Sequence, residues 1–196
     1  MSNAISPGSQ NDIRSYFNEI MSTLNQMDVR PVGAAIDLLH QTRLAGRQVF
    51  ILGNGGSAST ASHMACDLAK NTRHANLPPF RVIGLTDNMA LFSAYSNDEG
   101  YENAFAQQLA SLVQPQDVVV AISTSGNSAN VLRAVELAHA REAVTIGMTG
   151  FSGGRLGPMV NIHLHVPCDC IEQVEDIHLM LEHLMAVALR EKIGVE

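Results

Sequence analysis

The chain reads as a single α/β domain: a parallel sheet flanked by helices on both faces, preceded by N-terminal helices and closed by a long C-terminal helix. Short, wholly apolar runs alternate with helical periodicity from residue 48 onward, which implies right-handed crossovers between parallel strands covered on both faces. Two of these runs, Val49-Phe50-Ile51-Leu52 and Val118-Val119-Val120-Ala121-Ile122, end in loops of small polar residues. A length of 196 residues, 46% of them hydrophobic and only 16% charged, is enough for one full core and leaves little room for disorder.

The elements follow in order. Residues 1–10 are small and polar and are expected to form a frayed tail or cloning remnant without function, leaving 11–196 as the domain. From about Asp12 to Met27, the residues Ile13, Tyr16, Phe17, Ile20, Met21 and Leu24 recur at helical spacing, and Val32 to Leu44 continues with a second apolar face ending near Gly46. Such faces can pack on the domain or across a subunit interface. Strands are expected at 48–52, 80–84, 117–122, 143–148 and 161–166. Helices are expected at 58–71, near 88–95, at 101–113 and 128–140, and from about 173 to 192. Gly150 and Ser152-Gly153-Gly154 mark a loop. Ser57 and Ser128 are natural N-caps, and Cys66 is expected to pack against the core.

Charge and cysteine usage narrow the partners. A formal charge of −7 argues against a nucleic-acid or anionic-membrane surface. No run has the length of a membrane helix, and MSNAISPGSQ lacks the regions of a signal peptide, so the expected location is the cytoplasm. Cys66, Cys168 and Cys170 are read as reduced, since Cys168-Asp169-Cys170 is not the spacing of a zinc knuckle or redox pair.

The loops Gly53-Asn54-Gly55-Gly56-Ser57 and Ser123-Thr124-Ser125-Gly126-Asn127-Ser128 each lie between a strand and a helix. There, backbone N–H groups and hydroxyls can cradle an anion without a cation. Two such loops in one small domain suggest a shared pocket for a phosphorylated metabolite. Neither has the spacing of a dinucleotide fingerprint or a Walker loop, so no nucleotide cofactor is expected. His63 and Asp67, four apart, share a helix face, and Glu175, His178, Glu182 and His183 cluster on the last helix. Glu175 and His183 are offset by about 80° around that axis. His63, Asp67, Glu175 and His183 would together suit zinc or another divalent metal.

On the strength of the two loops, of Ser96-Asn97-Asp98-Glu99-Gly100 and of His63 and His183, the chain resembles a sugar isomerase (SIS) domain. More closely, it is similar to the phosphoheptose isomerase family, which interconverts sedoheptulose 7-phosphate and a heptose 7-phosphate. The resemblance implies that Asn54, Gly55, Gly56, Ser57, Asn97 and Asp98 contact the sugar and that Ser123, Thr124, Ser125 and Ser128 hold its phosphate. It also implies that His63, Asp67, Glu175 and His183 fall on a metal site overlapping catalysis, with Asp67, Glu175 and His183 as catalytic groups. A homotetramer with pockets at subunit interfaces is implied too. Asp67 stands where the family commonly has Glu, Glu175 where Gln is usual, and Asn71 in the place of a phosphate-facing Arg. The competing classes are a DnaA-binding SIS adaptor and a sugar-phosphate sensor, and the latter lacks a helix-turn-helix pattern here.

Overall fold

The computed structural model describes residues 10–192, so the expected tail lies outside them except for Gln10. Five parallel strands, β1 (Gln48–Gly53), β2 (Arg81–Gly84), β3 (Val118–Ile122), β4 (Val144–Thr149) and β5 (Ile162–His165), form one sheet in the order β2-β1-β3-β4-β5. Their alternation divides the core into two. Val49 and Ile51 of β1 and Val118, Val120 and Ile122 of β3 face one cluster, while Phe50, Leu52, Val119 and Ala121 face the other. Both faces are buried, which is why these strands read as continuous apolar runs.

One face is covered by α1 (Gln10–Gln26), α2 (Arg30–Leu44), α3 (Gly56–Cys66) and α8 (Ile171–Glu191), through Ile20, Leu39, Met64 and Ile177 among others. The opposite face is covered by α5 (Ala104–Ala110) and α6 (Ala129–Ala140), through Phe105, Leu109, Val131 and Val135. The short α7 (Leu156–Met159), absent from the sequence reading, adds Leu156 to the same side. Arg43 ties three elements on the first face, donating to the carbonyls of Thr72 and Leu189 with its guanidinium 5.0 Å from the Phe80 ring.

Three expectations about local structure are corrected. The helix expected at 58–71 begins at Gly56 and changes at Asp67–Asn71 into a π-helical turn. The expected helix at 101–113 is a single 3₁₀ turn, Tyr101–Asn103, followed by α5. Finally, α4 (Met89–Glu99) runs through Ser96, Asn97 and Asp98 and stops only at Gly100, where φ is +90°. Cys66 is exposed rather than packed in the core, because its neighbours Ala65 and Asp67 take the inward positions at the end of α3.

Candidate active site

From β1 the chain steps outward to β2 and then returns to β3 on the other side of β1. The loops after β1 and β3 therefore meet where the strand order reverses, the usual ligand crevice of an open α/β sheet. The β3 loop rests on the loop at 150–154. A Cβ at Gly126 would come within 2.2 Å of the Gly153 carbonyl oxygen, so only glycine permits this approach. Asn127 fastens the loop: its side-chain amide donates to the Ser125 carbonyl at 2.9 Å and its Oδ1 accepts from the Arg155 N–H at 3.1 Å.

Asn54, Ser57, Ser123, Thr124, Ser125 and Ser128 line a cavity of about 170 Å³ that Phe151, Ile171 and Glu175 complete. Among the described residues its lining has no lysine or arginine, so an anion there would be met by hydroxyls and N–H groups. Ser57 is not the N-cap of α3, because Gly55 holds that position and Ser57 lies inside the helix. Ser128 is at the N-cap of α6, yet its hydroxyl lies 3.2 Å from that of Ser123 and makes no cap bond. Both serines are thereby left to the cavity.

Asn54 is held by partners that the sequence did not reveal. It exchanges two amide hydrogen bonds of 2.9 Å with the buried Asn130 and accepts from the Tyr101 hydroxyl at 2.8 Å. The only available signal for Asn130 was an amide among apolar residues in the first turn of α6. A second cavity of about 160 Å³, with Gly53, Gly55, Phe92 and Tyr101, shares Asn54 with the first. Asn97 and Asp98 line neither cavity: they are exposed on α4, where Asn97 donates to Asp98 at 2.7 Å. A larger concavity, about 680 Å³, is a shallow groove between α3 and edge strand β2 with Val82, Ile83 and Met89 in its wall. It contains none of the expected ligand residues.

Farther along α3 and α8 lies the polar cluster. The Nε2 atoms of His63 and His183 are 3.3 Å apart, with the rings edge to face. His63 Nε2 lies 3.8 Å from Asp67 Oδ1, and His183 Nε2 lies 3.5 Å from Glu182 Oε2. One donor atom from each of these four residues falls within 4.8 Å of the others, a group that could hold a metal ion. A tetrahedral ion with bonds of about 2.0–2.1 Å to nitrogen needs ligand atoms roughly 3.3 Å apart, so the residues fit a divalent ion such as zinc. Asp67 opens the π turn, in which the Thr72 N–H bonds to the Asp67 carbonyl at 3.2 Å. Such turns recur at functional sites.

Glu175 is not in this group. Its carboxylate lies against Gly56 at the start of α3, where a Cβ would be only 2.3 Å from Oε2, and it borders the serine-lined cavity. The angular offset from His183 is small, and eight residues of helix also rise about 12 Å. Glu182, seven residues beyond Glu175, takes the place in the cluster. Burial, and after it the charge of Asp67, pushes Glu182 up to about 7. Burial holds His178 down at about 4, weakly opposed by the Thr149 backbone.

The SIS domain family matches residues 14–150 of this chain. A phosphoheptose isomerase from Bordetella avium is 36% identical over 177 residues, covering 87% of this chain and 89% of its own length. The chain belongs to the phosphoheptose isomerase family. A phosphoheptose isomerase structure from Francisella tularensis superposes with a TM-score of 0.85 at 33% identity, covering 94% of this chain and all of its own (100%). One from Neisseria gonorrhoeae gives 0.84 at 31%, covering 93% and 98%.

Within that family, the resemblance had set Asp67 and Asn71 apart from the common Glu and Arg. The structure joins the two departures, since Asn71 Nδ2 donates to Asp67 Oδ1 at 2.6 Å. Asn71 is thus a hydrogen-bond partner of the short carboxylate.

Proposed function

We propose that this member of the phosphoheptose isomerase family is an aldose–ketose isomerase that interconverts sedoheptulose 7-phosphate and a heptose 7-phosphate. The observation that carries the reading is the pairing of two different sites along one face of α8. Glu175 lines one side of the hydroxyl-rich cavity, and Glu182, two turns on and about 10 Å away, stands in the polar cluster. An extended seven-carbon chain spans roughly 8 Å, so a phosphate seated among Ser123, Thr124, Ser125 and Ser128 would leave C1 and C2 near His63, Asp67 and His183.

The reaction moves protons and needs no redox partner. From ketose to aldose, a proton leaves C1 and another is delivered to C2, while a proton passes from O1 to O2 through an enediol. Asp67, oriented by Asn71, or Glu175 would carry the carbon proton; His183 would supply and take the oxygen proton through a ring nitrogen that the ion leaves free. Asn54, fixed by Asn130 and Tyr101, and the backbone of Gly55 and Gly56 would position the hydroxyls, and phosphate binding would align the carbons from a distance. His63, Asp67 and His183 would hold a zinc-like ion, which when bound supplies Lewis-acid stabilisation of the negative oxygen.

A homotetramer with pockets at its interfaces is proposed with this activity. Ile13, Phe17, Met21 and Leu24 form an exposed apolar stripe on α1, and Met180, Leu184 and Val187 form another on α8. Asn97 and Asp98, exposed on α4, would then meet the sugar from a neighbouring subunit. Among the described residues no helix is long and apolar enough to cross a membrane, and we place the enzyme in the cytoplasm with the soluble sugar phosphate as its partner. The adaptor reading is less favoured, since binding alone requires no cluster of imidazoles and carboxylates.

The deciding experiment incubates the protein with sedoheptulose 7-phosphate in deuterated water, with and without zinc, and follows product and exchange by proton NMR. Aldose formation with deuterium on carbon is expected. Neither product nor exchange with this or any other phosphorylated ketose would overturn the reading.

A further inference from the structure

We infer that His165 is a positioning residue of the phosphate cradle: it fastens the loop at 150–154, against which the serine loop is built, and so governs anion affinity without touching the anion. The inference rests on the functional reading above for the role of the cradle, but not on the sugar or the metal.

The serine loop owes its shape to the segment that runs from β4 into α7. Three of its acceptors are taken by backbone N–H groups of that segment: the Thr124 carbonyl by Gly150 at 2.8 Å, the Gly126 carbonyl by Leu156 at 2.9 Å and Asn127 Oδ1 by Arg155 at 3.1 Å. In a trans peptide the N–H points opposite to the carbonyl. Turning the Thr124 carbonyl toward Gly150 therefore aims the Ser125 N–H away from the supporting segment, and that N–H has no acceptor among the described residues. It is a donor left for an anion in the cavity that Thr124 and Ser125 line.

The support itself needs holding. Phe151 stands at φ +47°, Gly153 at +83° and Gly154 at +54°. Glycine adopts such values freely, but a bulky residue keeps them only where its surroundings impose them. Here the constraint comes from the end of β5 and the residues after it. The Phe151 N–H donates to the Cys168 carbonyl at 2.9 Å, and the Phe151 carbonyl lies 2.8 Å from His165 Nε2. Since a carbonyl oxygen only accepts, that nitrogen carries a proton and donates it. Both backbone groups of Phe151 are thus held from outside the loop, while its side chain completes the wall of the serine-lined cavity. The other imidazole of β5, His163, bonds Thr149 Oγ1 at 2.7 Å and lies against Gly153 and Gly157. It fills the space beneath the loop, whereas His165 sets the backbone.

The test uses the full chain as wild type and as the variants His165→Leu, His165→Gln and His139→Leu. Leucine removes the donor at similar bulk, and glutamine offers an amide N–H at similar reach. His139 is the control, because its Nε2 also bonds a β4 threonine, Thr145 at 3.0 Å, but at the end of the strand away from the cradle. Affinity for inorganic phosphate is read by phosphorus NMR titration, affinity for sedoheptulose 7-phosphate by calorimetry, and stability by the urea midpoint. His165→Leu is expected to weaken both ligands on the order of tenfold, and His165→Gln to recover to within about threefold of wild type. His139→Leu should lower the urea midpoint and leave both affinities unchanged. Wild-type phosphate affinity in His165→Leu would overturn the inference, as would glutamine binding as weakly as leucine, or affinities that merely follow the urea midpoints across the variants. Should His165→Leu fail to fold, His165→Asn serves instead, because its amide falls short of the Phe151 carbonyl: weakened phosphate supports the assignment and unchanged phosphate overturns it. A wild type that turns over sedoheptulose 7-phosphate, with phosphate bound equally well by His165→Leu, would sink this inference alone. A wild type that binds phosphate without forming product, with the loss in His165→Leu intact, would sink the isomerase reading alone. No phosphate binding by the wild type would remove the cradle and the inference with it.

Discussion

The two ends of the inward face of α8 solve opposite problems. Beside Glu175, several polar groups of the two loops have partners within the fold: Ser123 lies by Ser128, Ser125 accepts from Asn127, and Asn54 is held by Asn130 and Tyr101. Beside Glu182, buried atoms of Glu182 and His178 lack partners among the described residues. The first region is therefore largely held in place by its own hydrogen bonds, so that binding the proposed anion would cost little reorganisation. The second stores the expense of desolvated polar groups, which a bound ion and a reacting sugar can relieve. On the proposed function, the binding cradle and the reactive centre would differ in which polar atoms remain unsatisfied.

The most severe break of the comparison should be Asp67→Asn, which removes the transferable charge from the reactive end and leaves the cradle alone. Turnover of sedoheptulose 7-phosphate is expected to fall on the order of a thousandfold. Binding of the sugar phosphate, measured by calorimetry, should stay within a few-fold. A parallel loss of both would mean that the two regions are not separable. Asp67→Glu then asks whether the short side chain is matched to this substrate: retained or increased turnover would place this chain with the commoner family pattern.

The next effect concerns stability in the absence of metal. His178 has a folded value near 4 against an ordinary 6.5, so between these values the unfolded chain takes up a proton that the folded one refuses. Its contribution is intact above about pH 6.5 and is lost as pH falls toward 4, by about 3 kcal/mol. Glu182, raised to about 7, acts in the opposite sense: its folded form holds a proton more tightly, so stability grows as pH falls from 7. In the wild type the two oppose each other. Urea denaturation in chelator should show Glu182→Gln losing more stability than wild type on acidification from pH 7 to 4.5, and His178→Leu losing less. Identical pH profiles for all three would show that neither group is desolvated as the structure indicates.

Much of this arrangement was legible in the sequence. The continuous apolar runs of β1 and β3 announced doubly buried parallel strands, and the two loops closing them do meet around one cavity. The spacing of His63 and Asp67 puts them on one helix face, and the structure brings them together with His183. What was missed has a geometric cause in each case. Glu182 already stands in the α8 cluster read from the sequence, where the small rotation of Glu175 from His183 puts Glu175 into the metal set; the structure brings Glu182 to the other three. The π turn at Asp67 and the inward position of Ser57 depend on tertiary packing that a 3.6-residue period does not encode. Asn97 and Asp98 looked like loop residues, yet α4 carries them outward because no helix-breaking residue precedes Gly100. Asn130 and Tyr101 came to light only when elements distant in sequence met at Asn54.

A sharper probe of the cradle is the double substitution Ser125→Ala, Ser128→Ala. Both hydroxyls are neutral donors beside an expected dianion, and the backbone N–H groups would remain, so affinity for the sugar phosphate should fall on the order of fiftyfold. Zinc content should not change. Calorimetry showing unchanged affinity would remove the serine loop from the site, and a loss of zinc would show that the two ends of α8 are coupled.

The smallest effect is expected at Asn71, and it separates two explanations of one residue. If Asn71 merely fills the place of a phosphate-binding Arg, Asn71→Ala should be silent and Asn71→Arg should tighten phosphate binding. The 2.6 Å bond to Asp67 points elsewhere. A single hydrogen bond to a charged group contributes about 1.5 kcal/mol or more, but this one is only partly buried and Asp67 keeps its place in the π turn without it. Asn71→Ala is therefore expected to lower kcat roughly five- to tenfold with KM and the phosphate affinity nearly constant. Asn71→Asp should be worse than Ala, since it sets a carboxylate against Asp67 where a donor stood. If kcat is unchanged in both variants while KM rises, Asn71 serves the phosphate end and not the carboxylate. The division of labour along α8 would then have to be redrawn with the π turn on the binding side.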